Sequence, residues 1–133
     1  ADIGSLKYRI YDASASPETP FLHFNVDFTN SNVFQSRLVM VPTGVVVNTW
    51  TTVDAINGGT ALWTYSGANW PAPNAQPGTT PKTWAQILAD YPNAETLQSG
   101  PFIGVRVGHP GPTGESSFVD WVEFDGETND FVL

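Results

Sequence analysis

Short runs of alternating apolar and polar residues recur along the chain, and most connections between them are too short to hold a helix. The clearest run is FLHFNVDF, residues 21–28, in which every second side chain is apolar. An alternation of period two is typical of a half-buried β-strand. Strands joined by short turns pair as antiparallel neighbours. The pattern therefore predicts an all-β chain rather than a helical or βαβ one.

About nine such strands are indicated, and a helix is predicted in one place. At residues 84–91, Thr83 and Gln86 have the spacing of a capping box, and Pro92 ends the helical pattern. Strands with one apolar face are buried when two antiparallel sheets pack together. The sequence thus predicts one domain, residues 1–133, with an antiparallel β-sandwich fold of the jelly-roll type and one short helix.

The charge balance limits the partners that such a chain can bind. Five basic residues against thirteen acidic ones give a formal net charge of −8, which disfavours nucleic acid and anionic lipid. No cysteine is present, so disulfides and thiolate metal sites are excluded. No apolar run approaches the roughly 20 residues of a membrane span. An acidic composition rich in Thr, Asn and Gly suits an extracellular or cell-surface protein that holds Ca²⁺, although acidity for solubility alone explains it equally well.

A long proline-rich connection, residues 67–82, carries the best candidate for a sugar-binding residue, Trp70. Sugars stack on exposed aromatic faces and hydrogen-bond to neighbouring polar groups. The alternative is that Trp70 folds back and anchors its own loop. Core or sheet packing is predicted instead for three other tryptophans, Trp50, Trp84 and Trp121. The other residues predicted for the carbohydrate site are Trp63, Tyr65, Asn69, Asn74 and Gln76.

Asp120 lies in an apolar run near the C-terminal end of the sequence. By simple alternation it shares a face with Phe118 and Val122, and an ionised carboxylate on a buried face must be paired, hydrogen-bonded or metal-bound. The sequence therefore predicts either a structural Ca²⁺ at Asp120 or hydrogen bonds to backbone. The terminal segments 1–11 and 128–133 are candidates for open sheet edges, through which copies of the chain could assemble.

Four segments, GSLKYRIY, TWAQILADYPNAE, FVDWVEFDG and NDFVL, together resemble secreted bacterial jelly-roll modules. The VDxVxF pattern is also similar to the last strand of galactose-binding-like carbohydrate-binding modules. That resemblance implies a calcium ligand at Asp120, whereas the further ligands of those modules have no clear match. It also implies one or two strands before the segment that opens this chain, and their absence would leave a sheet edge open.

Two functions follow from these observations. The first is a non-catalytic extracellular module that binds carbohydrate or another surface polymer. The second is a structural subunit of a filament, surface layer or capsid that assembles as a homo-oligomer through its sheet edges. Catalysis is disfavoured because neither histidine, His23 or His109, neighbours a nucleophile motif, and thirteen acids will place some pair at glycosidase spacing by chance.

Overall fold

The computed structural model describes residues 3–13, 19–57, 61–99, 102–106 and 117–131. Within them the chain forms two antiparallel sheets and one short helix, which confirms the predicted all-β class. The helix α1 spans Trp84–Asp90. The strands are β1 (Leu6–Asp12), β2 (Phe21–Asp27), β3 (Ser36–Met40), β4 (Trp50–Asp54), β5 (Trp63–Tyr65), β6 (Glu95–Thr96), β7 (Ile103–Arg106), β8 (Ser117–Phe124) and β9 (Glu127–Asp130).

By its internal packing the chain divides into two compact units, each built from separate segments. The first unit comprises Ala1–Phe21, Val41–Ala61 and Val105–Leu133, and the second comprises Leu22–Met40 and Leu62–Gly104. The segments of each unit are separated in the sequence, so neither unit could be cut out as a continuous piece. The prediction of one domain stays a prediction.

Strand β1 lies inside the sheet of the first unit, whose strand order is β4-β1-β8-β9. Its even-numbered side chains, from Leu6 to Asp12, are buried, and its odd-numbered ones, Lys7, Arg9 and Tyr11, are partly exposed. The side chains of β1 therefore alternate between a buried and a partly exposed face, which is the period-two pattern of a half-buried strand. Because β1 pairs with β4 on one side and with β8 on the other, the N-terminal strand is not an open edge. The terminal residues 1–2 and 132–133 lie outside the described residues.

A bulge interrupts the pairing of β1 with β8. Arg9 pairs with Trp121 and the next residue, Ile10, pairs with Val119, so Asp120 is the extra residue on β8. A bulge breaks the strict alternation of faces along a strand. Asp120 therefore shares the exposed face with Phe118, as predicted, but not with Val122, which pairs with the buried Tyr8. Its carboxylate contacts the Arg9 guanidinium on the exposed side of β1.

The sheet of the second unit has the order β5-β3-β2-β6, and β7 also pairs with β2. The last part of the proline-rich loop, residues 78–82, covers the outer edge of β5. Trp63 and Lys82 exchange backbone hydrogen bonds of 2.8 and 2.9 Å, and Tyr65 N donates to Gly78 O at 2.9 Å. The helix α1 follows directly, with both hydrogen bonds of the predicted capping box present between Thr83 and Gln86.

The connections differ from the predicted series of sequential hairpins. Neighbours in sequence pair directly at β2–β3 and at β8–β9, whereas β4 pairs with β1 rather than with β3. The apolar run that starts at Val45 becomes a strand only at Trp50, because Asn48 has a left-handed backbone with φ of 60°. Asn48 N donates to Asp12 O at 2.7 Å. This bond fixes the turn that brings β4 beside β1.

Candidate functional site

Trp70, the residue predicted to stack on a sugar, is buried, with 1% of its surface exposed. Its ring is stacked against Tyr65 and Tyr91, with centroid distances of 5.5 and 6.0 Å. Its indole Nε1 donates to Thr80 O at 2.9 Å. Both faces and the polar edge of the ring are thus occupied by the protein. The prediction of Trp70 as a sugar platform is therefore wrong, and the alternative, an anchor for its own loop, is confirmed.

The aromatic partners proposed beside Trp70 are buried as well. Trp63 is 0% exposed and Tyr65 is 8% exposed. Trp63 packs edge-on against Phe24 at 5.3 Å, and the Tyr65 hydroxyl donates to Gln35 O at 2.9 Å. Because their rings fill the interior of the second unit, neither offers a face to a ligand. We call this buried group the aromatic cluster: Phe24, Phe28, Trp63, Tyr65, Trp70, Trp84 and Tyr91.

The three polar residues predicted for the sugar site, Asn69, Asn74 and Gln76, remain at the surface of the proline-rich loop. The structure shows a contact of Gln76 that supports the loop. Gln76 O accepts from Trp70 N at 2.7 Å, which closes the loop around the buried indole. Trp70 is the only aromatic residue between positions 67 and 82. No exposed ring of the loop therefore accompanies these side chains.

A cation and a carboxylate complete the surroundings of Trp70. The Lys82 ammonium lies 5.3 Å from the indole centroid and forms an ion pair with Asp90. The Lys82 side chain is 8% exposed, and that of Asp90 is 27% exposed. Burial raises the pKa of Tyr91, and the negative charge of Asp90 raises it further. The phenol thus stays neutral and donates a hydrogen bond to Pro71 O.

The exposed face of the first unit's sheet carries a second group of aromatic side chains. Tyr11 pairs across the strands with Trp50 on one side and with Phe118 on the other. The Tyr11 ring centroid lies 5.4 Å from that of Trp50 and 6.1 Å from that of Phe118. Trp50 is 42% exposed and Phe118 is 49% exposed. These three residues form what we call the aromatic row.

Charged and polar groups adjoin the aromatic row. The Arg9 guanidinium carbon lies 5.1 Å from the Trp50 ring centroid, and Arg9 Nη1 donates to Asp120 Oδ2 at 3.0 Å. In the middle of the row, the Tyr11 hydroxyl lies 3.4 Å from Asn48 Oδ1. The row therefore presents apolar ring surface beside hydrogen-bond donors and acceptors, which is the combination that recognises sugars.

The carboxylate of Asp120 finds its partner in Arg9 rather than in the protein backbone. The side chains of this pair are 30% and 40% exposed, respectively. Among the described residues, no group of three or more His, Cys, Asp or Glu side chains is placed to hold a metal ion. The calcium ion predicted at Asp120 stays a prediction. A melting temperature that does not change on addition of EDTA would contradict it.

Asp27 is a buried carboxylate that the sequence did not single out. Its Oδ1 accepts from Thr29 N at 2.9 Å and from Thr29 Oγ1 at 3.0 Å, and its Oδ2 accepts from Asn32 N. Burial raises the pKa of the carboxyl group, but the hydrogen bonds from Thr29, Asn32 and Ser31 outweigh burial and leave the pKa below its ordinary value. Asp27 thus organises the loop that follows β2.

The aromatic row was not predicted, because Trp50 was expected to serve in core or sheet packing rather than to expose its ring. Trp84 is buried as predicted, but Trp50 is exposed, and Trp121 is partly exposed opposite Arg9. The sequence nevertheless contains a signal that Tyr11 lies on an exposed face. Tyr11 shares a strand face with two basic residues, Lys7 and Arg9, and a face with that composition is the one turned to solvent.

No protein-family model matches the chain, no curated protein is significantly similar to it, and no solved structure matches it. The predicted resemblance to galactose-binding-like modules therefore stays a prediction. None of the helices among the described residues is long and apolar enough to cross a membrane.

Proposed function

We propose that the chain is a non-catalytic extracellular module that binds carbohydrate through the aromatic row. The observation that carries this proposal is the exposure of Trp50 and Phe118 on one sheet face, on either side of Tyr11 and next to the Arg9–Asp120 pair. Monomeric proteins rarely expose several large aromatic side chains together without a partner. The acidic composition without cysteine is compatible with an extracellular location.

The chemistry of the row suits a sugar because the two kinds of contact that a sugar needs lie side by side. The C–H faces of a pyranose pack on aromatic rings, and its hydroxyl groups need donors and acceptors near the ring plane. Arg9 provides N–H donors and Asp120 provides acceptor oxygens next to Trp50. Because Arg9 is held both by Asp120 and by the indole, little side-chain entropy is lost when a ligand binds.

The decisive experiment compares two phenylalanines of equal exposure. Phe118 belongs to the row and is 49% exposed, whereas Phe34 lies in the loop after β2 and is 51% exposed. A glycan array with the wild-type chain would identify a ligand for calorimetric titration. Phe118→Ala should then lower the affinity at least tenfold, a loss of about 1.4 kcal/mol, whereas Phe34→Ala should leave it unchanged. Absence of any glycan ligand, or equal affinities for both variants, would overturn the proposal.

We propose, as the second candidate, a structural subunit that assembles through the edge strand β4. Ala55 N donates to Leu6 O at 2.9 Å. In an antiparallel ladder, residue pairs with hydrogen bonds alternate with pairs without them. Thr52, three residues before Ala55, belongs to a pair without them, so its backbone N–H and C=O point away from β1. No strand among the described residues pairs with that side of β4. The opposite edge, β9, carries Glu127 and Asp130, whose like charges oppose self-pairing.

Light scattering at rising protein concentration tests this candidate. If β4 mediates assembly, Thr52→Lys places a charge on the pairing edge and should leave a monomer. Thr128→Lys on β9 is the matched control and should still assemble. A wild-type chain that stays monomeric at every concentration would exclude the structural role, as would assembly that Thr52→Lys does not affect.

A further inference from the structure

We infer that the ligand of the aromatic row is a single, uncharged glycan chain that lies across strands β8, β1 and β4. This inference rests on the function proposed above and specifies its ligand class. Two features of the row carry it: the tilt between neighbouring rings, and the excess of carboxylates on the same sheet face.

The tilt of the rings excludes a flat ligand surface. The Tyr11 ring is inclined by 54° to the Trp50 ring and by 57° to the Phe118 ring. A crystalline polymer presents a flat surface, and only rings that lie nearly in one plane can all contact it. A single chain can rotate about each glycosidic bond and present one sugar face to each ring. The row therefore fits a free chain better than an ordered solid.

The direction of the row follows from the strand register. Trp50, Tyr11 and Phe118 are direct partners on three adjacent strands, so the row runs across the strands rather than along them. The centroid steps of 5.4 and 6.1 Å are close to the spacing of neighbouring strands, which is about 4.8 Å. A chain that follows the row meets a new ring at each strand. Affinity should therefore rise with chain length until all three rings are covered.

The charges on this face oppose an anionic polymer. Both basic side chains are already paired: Arg9 with Asp120 at 3.0 Å and Lys7 with Glu123 at 3.7 Å. Asp130 lies opposite Trp121 on the same side of the sheet and adds an unbalanced negative charge. The net charge of the whole chain, −8, has the same sign. A polyanion would therefore be repelled both at long range and at the site.

Three groups of probes test this inference, with affinity electrophoresis and calorimetry for the soluble ones and co-sedimentation for the insoluble ones. The first group is soluble xylan, galactomannan and their oligosaccharides, the second is microcrystalline cellulose and chitin, and the third is polygalacturonate and heparin. We expect binding to the first group alone. Affinity should rise roughly tenfold or more from the monosaccharide to the trisaccharide and then level off. Added salt should not change the affinity, because an uncharged ligand forms no ion pair that salt could screen.

Phe118→Ala and its control Phe34→Ala separate the inference from the function on which it rests. Binding to a crystalline or anionic probe that only Phe118→Ala weakens would overturn the inference and keep carbohydrate binding at the row. Affinity for soluble glycans that does not grow with chain length would overturn it as well. Failure to bind any probe, or binding that Phe118→Ala does not weaken, would overturn the proposed function itself.

Discussion

Two tryptophans in this protein have the same kind of partners in opposite environments. Trp70 in the second unit has a lysine over its ring, and that lysine is paired with Asp90. Trp50 in the first unit has an arginine over its ring, and that arginine is paired with Asp120. Yet Trp70 is 1% exposed and Trp50 is 42% exposed. The same combination of ring, cation and carboxylate therefore stabilises the fold at one site and leaves a ring surface free at the other.

The largest expected difference between the two sites is in the effect of removing the ring. Trp70→Ala would empty a space between Tyr65 and Tyr91 and should lower the free energy of unfolding by about 3–5 kcal/mol. Trp50→Ala removes a ring at the surface and should lower it by about 1 kcal/mol or less. Urea unfolding of both variants measures the difference. Equal losses would show that Trp50 is packed as tightly as Trp70, and the aromatic row would then not be a free surface.

The next largest difference is expected for the two cations. Lys82→Met removes a buried ammonium that contacts both Asp90 and the Trp70 ring, and should cost about 2 kcal/mol. Arg9→Met removes a guanidinium whose side chain is 40% exposed, and should cost about 0.5 kcal/mol. Methionine keeps most of the apolar volume in each case, so the comparison isolates the charge. A loss for Arg9→Met as large as that for Lys82→Met would contradict the assignment of Arg9 to an exposed face.

The fold could be predicted from the sequence because its signals are local. Alternation located β1 and β2, and the spacing of Thr83 and Gln86 located the start of the helix. Neither kind of signal depends on which strands become neighbours. The edges were harder to predict, because β1 became internal only through pairing with β4 and β8.

The site could not be predicted because exposure depends on contacts that are distant in the sequence. Trp70 is buried by Tyr65 and Tyr91, which come from a strand and from the end of the helix. The course of the loop is fixed by backbone packing: a side chain on Gly78 would come within 2.0 Å of Gly67 O. The bulge at Asp120 is equally invisible in the sequence. The proline-rich loop, residues 67–82, is thus closed around the buried Trp70 ring and is not a binding loop.

The carboxylate of Asp27 in the second unit is buried, whereas the side chain of Asp120 in the first unit is 30% exposed. Asp27 is buried and its hydrogen bonds hold its pKa below the ordinary value. Asp27→Asn should lower the free energy of unfolding at neutral pH, because it removes the charge that accepts these hydrogen bonds. The unfolded chain binds this proton more readily than the folded one, so the contribution is present above the unfolded-state pKa of about 3.9 and is lost as pH falls through the lower folded-state pKa.

The pH dependence gives Asp27 a test that a simple packing defect would fail. The difference in unfolding free energy between the wild type and Asp27→Asn should stay constant from neutral pH down to about pH 5 and shrink below about pH 4. Urea unfolding across this range measures it. A difference that is the same at low pH would mean that the ionised carboxylate does not hold the loop after β2.

The smallest effect is expected for the ion pair beside the aromatic row. A double-mutant cycle with Arg9→Met and Asp120→Asn should give a coupling free energy of about 0.2–1 kcal/mol. The coupling should fall toward zero in about 1 M salt, where the screening length is close to 3 Å. The corresponding cycle on Lys82 and Asp90 should keep most of its coupling, because the ammonium is shielded from ions. A strong, salt-resistant Arg9–Asp120 coupling would mean that this pair fixes structure as Lys82–Asp90 does.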